Sequence, residues 1–212
     1  MTACPAWPQL RRPLVAILRG LGPADAEAVA DALVEEGFEA IEVPLNSPDP
    51  FVSIERMARR HGEATLIGAG TVLTPEAVDK LADTGARLMV TPNVDAAVIR
   101  RAAERGLIAM PGVLTPSEAL AALAAGASAL KFFPASVLGA GGIAAIRAIL
   151  PTGTTIGAVG GISEKDFSAY MASGIETFGL GSSLYRPGDS AQAVREKARL
   201  AVAAFDAAKA AR

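Results

Sequence analysis

One lysine stands apart in the stretch ASALKFFPAS, residues 127–136. Lys131 follows Ala129 and Leu130, precedes Phe132 and Phe133, and has no acid beside it. The other four lysines, Lys80, Lys165, Lys197 and Lys209, sit in polar or helical surroundings. An ammonium group in an apolar strand has three readings. It snorkels to the surface along its aliphatic stem. It pairs with a buried acid. Or it is an amine whose pKa is lowered by apolar surroundings, neutral often enough to attack a carbonyl. Glu42, in AIEVPL, is the acid most embedded in apolar sequence. It is either a satisfied interior carboxylate paired with Lys131 or a general acid/base with a raised pKa. A Schiff-base lysine and one proton shuttle suffice for class I aldolase chemistry, which needs no metal and no cofactor.

Such residues need a scaffold that brings them together. Eight short apolar runs recur along the chain: 13–20, 40–47, 65–73, 87–92, 107–112, 129–136, 155–162 and 177–184. Their continuous apolar character predicts parallel strands buried on both faces. Amphipathic stretches lie between them, several opening on Ser, Thr or Asp with Pro next. Several close on glycine, at Gly37, Gly85, Gly106, Gly126 and Gly174. These are helix start and stop signals. Eight strand–helix units predict an α/β fold, a compact (β/α)8 TIM barrel spanning residues 1–212 as one domain, with a doubly wound sheet as the alternative.

In such a barrel, reactive groups gather at the C-terminal ends of the strands. The polar residues of the runs fall there: Arg19, Glu42, Thr71 after GAG, Pro92 within TPN, and Lys131. The seventh run ends in Val159, Gly160 and Gly161, and the eighth in Gly181 and Ser182. Glycines at these two ends suit a phosphate site, since bare N–H groups bind a dianion, although turns use such pairs freely.

Composition excludes other chemistry. The net charge is −2, so no basic field argues for nucleic acid or an anionic membrane. No apolar run approaches the ~20 residues that span a bilayer. The single cysteine, Cys4, forms no internal disulfide and points to a reducing, cytoplasmic setting. His61, the only histidine, reads as a solvent-exposed helix end. No ligand spacing suggests a metal, and no GxGxxG follows the first strand to hold a dinucleotide.

Taken together, EVPLNSP, IGAGTVLTPE, VTPN, PGVLTPSEA, ALKFFPAS and VGGIS resemble the KDPG/KDPGal aldolases, the 2-keto-3-deoxy-6-phosphosugar acid lyases. The resemblance runs from about residue 13 to about residue 187. It implies a Schiff base on Lys131, acid/base work by Glu42, a pyruvate-carboxylate contact at Thr71, and phosphate contacts at Gly160, Gly161, Gly181 and Ser182. Arg19 matches a substrate-binding arginine. Two positions depart from the gluconate-type pattern: Asn46 replaces a strand-two arginine, and Val159 replaces a threonine. Both resemble the 6-phosphogalactonate branch. That implies cleavage of 2-dehydro-3-deoxy-6-phosphogalactonate to pyruvate and D-glyceraldehyde 3-phosphate, with the gluconate epimer as the alternative. The resemblance also implies a homotrimer. Two readings from other classes stay open: a phosphosugar isomerase or epimerase with Glu42 as base and Lys131 merely electrostatic, and a non-catalytic phosphometabolite sensor.

Overall fold

The computed structural model describes residues 3–212. Its nine strands are all parallel and form one sheet: β1 (Leu14–Ile17), β2 (Ala40–Pro44), β3 (Leu66–Gly70), β4 (Leu88–Val90), β5 (Ile108–Met110), β6 (Gly112–Val113), β7 (Leu130–Phe132), β8 (Ile156–Val159) and β9 (Thr177–Leu180). Neighbours follow chain order, with β1 pairing both β2 and β9. The fifth apolar run thus gives two strands rather than one. Pro111 separates them, because it has no N–H for the ladder. β5 pairs with β4 and β6 with β7, and the Pro111 carbonyl accepts from the Lys131 amide at 2.9 Å. The sheet therefore closes through this broken strand, giving the (β/α)8 barrel.

Except at the Pro111 break, helices separate the strands, and several of their caps follow the sequence signals. Thr115 and Glu118 form a reciprocal capping box on α5 (Pro116–Ala124). Asp95 caps α4 (Ala96–Glu104), and Ser190 caps the 20-residue α8 (Ala191–Ala210). Gly126, just past α5, takes φ 102°, a left-handed conformation that costs glycine little. The stretch from Ser163 to Gly174 forms a shorter helix than its pattern suggests, covering Phe167–Ala172 only. Asp166 accepts from the amide and hydroxyl of Ser163 and so ties the preceding residues into a turn. His61 ends α2 (Pro50–His61) but is not solvent-exposed. Its Nε2 lies 2.7 Å from Asp31, so it is half-buried beside a carboxylate.

Strand residues alternate between two buried layers. Leu14, Ala16, Ile41, Val43, Ile67, Met89, Leu130, Phe132 and Phe178 pack outward with the helices. Val15, Ala40, Leu66, Leu88, Val90, Ile108, Met110 and Ala129 form the barrel interior, with Trp7 and Leu10 packed against that layer. The period-2 alternation puts Glu42 two residues beyond Ala40, and Lys131 two beyond Ala129, on the same inward face. The N-terminal half of the barrel is thus filled with hydrocarbon, and polar groups enter the interior further along the strands.

Candidate active site

A cavity of about 410 Å3 opens at the C-terminal ends of the strands. It is lined by Arg19, Glu42, Thr71, Pro92, Lys131, Val159, Gly160, Gly161, Gly181 and Ser182, all expected from the sequence to form the site. Glu42 and Lys131 come from within β2 and β7, and the others from strand ends or the loops just beyond. The lining also includes residues that the sequence did not single out. Phe133 and Ile17 lie two positions from Lys131 and Arg19, on the same faces. Arg186 and Ser163 lie on loops just beyond the apolar runs, whereas Ser183 lies at the end of the eighth run beside Ser182.

Lys131 is 7% exposed, which leaves no room for snorkelling. Burial pushes its amine below the ordinary lysine range. The negative charge of Glu42 opposes that shift, and the positive charge of Arg19 adds to it. The ammonium nitrogen sits 4.8 Å from the centroid of the Phe133 ring, close enough for a cation–π contact.

Glu42 is 2% exposed. Its carboxyl is pushed up to about 7, chiefly by desolvation, against the pull of Lys131 and Arg19. Its Oε2 is buried and has no hydrogen-bond partner. A satisfied structural carboxylate does not look like this. An orphan carboxylate oxygen is costly in a protein interior, and here its residue lines a cavity that also holds an amine. Such a group can take up and release a proton near neutral pH.

The backbone opposite makes room for that carboxylate. A Cβ placed on Gly70 would stand 1.8 Å from Glu42 Oε2 and 2.4 Å from its Cδ. Gly70→Ala is therefore expected to push the carboxylate aside. On the aldolase chemistry that the sequence resemblance implies, we predict a loss of C–C cleavage of at least about tenfold, approaching the range of about 10²- to 10⁴-fold that an acid/base group contributes. Imine formation at Lys131 should survive. Borohydride trapping with pyruvate, run beside turnover, checks this: an alanine variant with wild-type turnover would show that the carboxylate does not need its place. The next residue, Thr71, has φ 56°. For a β-branched residue that conformation costs on the order of 1–3 kcal/mol, and such strain clusters at functional sites.

Arg19 donates from a guanidinium nitrogen to Asn46 Oδ1. Asn46 does not line the cavity but tethers the arginine that does. The loop after β8 carries Gly160 and Gly161 at φ 90° and 73°. A Cβ on Gly161 would meet Ser136 at 2.6 Å, so neither conformation nor space admits a side chain there. Ser183 donates its hydroxyl to the Ile162 carbonyl at 3.2 Å and joins this loop to the one after β9. Among the described residues, the amides of Gly161, Ile162, Ser182 and Ser183 find no protein acceptor. Unpaired backbone N–H groups around a concave rim form an anion-binding nest. No group of three or more His, Cys, Asp or Glu side chains among the described residues could hold a metal ion. No helix among them is long and apolar enough to cross a membrane.

Comparison with known proteins agrees with this geometry. Residues 9–196 match the family described as "Aldolase: KDPG and KHG aldolase". A Rhizobium meliloti (strain 1021) protein named "Probable 2-dehydro-3-deoxy-6-phosphogalactonate aldolase" is 63% identical over 200 residues, covering 94% of each chain. An Escherichia coli (strain K12) protein named "2-dehydro-3-deoxy-6-phosphogalactonate aldolase" is 45% identical over 197 residues, covering 93% of this chain and 96% of its own. The solved structure described as "Native KDPGal structure" superposes with a TM-score of 0.94 at 44% identity. That match covers 97% of this chain and 99% of the other.

Proposed function

The chain belongs to the KDPG and KHG aldolase family, and from that premise we propose that it is a class I aldolase for 2-dehydro-3-deoxy-6-phosphogalactonate, releasing pyruvate and D-glyceraldehyde 3-phosphate. One observation carries the reading. A buried amine and a buried, unpartnered carboxyl share one cavity whose rim is a nest of free amides.

Each group then has a part. The neutral amine of Lys131 adds to the C2 ketone, and loss of water leaves an iminium, the electron sink. Glu42 takes the C4 hydroxyl proton, directly or through a water, as the C3–C4 bond breaks. The bonding electrons move into an enamine and the aldehyde departs. Protonation of the enamine carbon and hydrolysis of the imine release pyruvate and restore the amine. Thr71 and Pro92 border the pyruvyl end, and the Gly160, Gly161, Gly181 and Ser182 rim takes the phosphate. An isomerase or epimerase would need the carboxylate but not a neutral lysine, so the depressed amine favours the aldolase. We also infer a homotrimer, as the family resemblance implies. A role in galactonate catabolism within the cytoplasm suits a substrate that carries both a carboxylate and a phosphate and does not cross membranes unaided.

The relatives' names and Val159 support the galacto epimer. The two epimers differ at the C4 hydroxyl, beside the breaking bond. Threonine would offer that hydroxyl a hydrogen bond, whereas valine has the same shape and no polar atom. A site built to hydrogen-bond a hydroxyl discriminates more strongly than an apolar wall. Parallel assays of both substrates test the function: the wild type is expected to cleave the galacto epimer, with weaker gluco activity. Val159→Thr should move the kcat/KM ratio toward the gluco epimer by roughly 1–2 kcal/mol, about 5- to 30-fold. A wild type that prefers the gluco epimer would remove the branch assignment and leave the aldolase.

A further inference from the structure

Arg186 lies on the loop between β9 and α8 and lines the cavity beside Gly181, Ser182 and Ser183. Its Nε donates to the Ser182 carbonyl at 3.2 Å, which fixes the guanidinium to the loop that carries the rim. A guanidinium has five N–H donors. Among the described residues, no other acceptor takes one from Arg186 and no carboxylate pairs with it.

That lack of a partner is not for want of an acid nearby. Asp189 stands three residues on, and its Oδ2 accepts the Arg186 backbone amide at 2.8 Å. Its charge is met by Lys197 Nζ at 2.6 Å. The acid shapes the turn and is neutralised from α8, so it forms no ion pair with the exposed Arg186 guanidinium at the cavity's edge. The rim itself offers dipoles but no full charge. A phosphate dianion held only by amides and hydroxyls would lack a counter-charge within the nest, and arginine is suited to supply one through two parallel N–H donors.

The two cavity arginines are placed differently. Arg19 lies close enough to act on both Glu42 and Lys131, so it belongs to the reacting end. Arg186 is tied to Ser182 and lines the cavity beside Gly181 and Ser183, on the loop beyond β9.

We propose that Arg186 binds the distal phosphate of the substrate and selects phosphorylated over unphosphorylated keto-deoxy sugar acids, leaving Arg19, tethered by Asn46, to the reacting end. The proposal rests on the phosphosugar reading given above, and glycerol 3-phosphate provides a probe that needs no turnover. Titration followed by NMR should show Arg186→Gln binding glycerol 3-phosphate roughly 5- to 20-fold more weakly than wild type, the range for a partly exposed hydrogen bond between charged groups. Affinity for glycerol should move less than about twofold, and Arg186→Lys should recover part of the loss. In turnover, KM for the phosphorylated substrate should rise by the same factor, with a much smaller change for its dephosphorylated counterpart. Equal affinity of wild type and Arg186→Gln for glycerol 3-phosphate would overturn the proposal, as would equal losses for glycerol and glycerol 3-phosphate. A wild type that binds glycerol 3-phosphate through Arg186 yet cleaves neither epimer would instead remove the proposed function and keep the phosphate site.

Discussion

Turnover and the pyruvate adduct are both expected to vanish in Lys131→Arg. An imine forms only from an amine with a free lone pair, and a guanidinium stays protonated throughout the working range. The wild-type site works in the opposite sense. Apolar walls lower the amine pKa and the charge of Arg19 lowers it further, while Glu42 limits the effect. The neutral amine is therefore available at a lower pH than for a lysine in water, and imine formation should rise with pH through the titration of Lys131. Borohydride makes the step visible. Lys131 Nζ forms a bond to the pyruvate carbonyl carbon, water leaves, and hydride reduces the C=N bond to a stable secondary amine. The peptide containing Lys131 should then carry a three-carbon acid by mass spectrometry. An adduct on Lys80, Lys165, Lys197 or Lys209, or activity retained in Lys131→Arg, would end the Schiff-base assignment. A melting curve checks that the larger head group has not unfolded the variant.

Much of this site is legible in the sequence, for a definite reason. A barrel strand buried on both faces is written in apolar residues, so a lone Lys131 or Glu42 is conspicuous against its neighbours. Thr71, Gly160 and Gly181 are readable because they end such runs. The closed sheet follows from the count of runs, though Pro111 divides the fifth. Arg186 has no such contrast, since SSLYRPGD is a loop in which a charged residue is ordinary. The tether between Asn46 and Arg19 spans 27 residues and exists only because β1 and β2 are neighbours. Phe133 is within reach, because period-2 alternation places it on the face of Lys131, but an aromatic residue in an apolar run carries no signal of its own. The need for glycine at position 70 is not local either. It comes from the Glu42 side chain on the adjacent strand, through the pairing of Pro44 with Gly70 and of Glu42 with Gly68.

Glu42→Gln should separate the two halves of the chemistry. The amide keeps the shape of the carboxyl but cannot accept the C4 hydroxyl proton, so C–C cleavage should fall by about 10²- to 10⁴-fold. Imine formation should persist. The negative charge of Glu42 holds the Lys131 pKa up, so its removal lowers that pKa and enlarges the neutral fraction of the amine. Pyruvate trapping in the variant should be at least as fast as in wild type near neutral pH. A base must be ionised to act, and the Glu42 carboxyl titrates at about 7. Wild-type cleavage should therefore decline as pH falls through about 7, and that inflection should be missing from the residual activity of the variant.

Stability supplies an independent check with the opposite sign. The folded pKa of about 7 lies above the ordinary 4.5, so between these values the folded chain holds a proton that the unfolded chain has released. Stability therefore falls as pH rises from about 4.5 to about 7, and this contribution is flat above that. The glutamine variant has no such loss, so its melting temperature relative to wild type should climb across that window. A structural carboxylate in a favourable ion pair predicts the reverse: a depressed pKa, and a variant less stable than wild type at about pH 8. A variant with near-normal turnover and lowered stability would make Glu42 a packing partner of Lys131. Slow cleavage, intact trapping and raised stability would together identify a carboxyl held in the barrel at a cost to folding, where the bound substrate can use it.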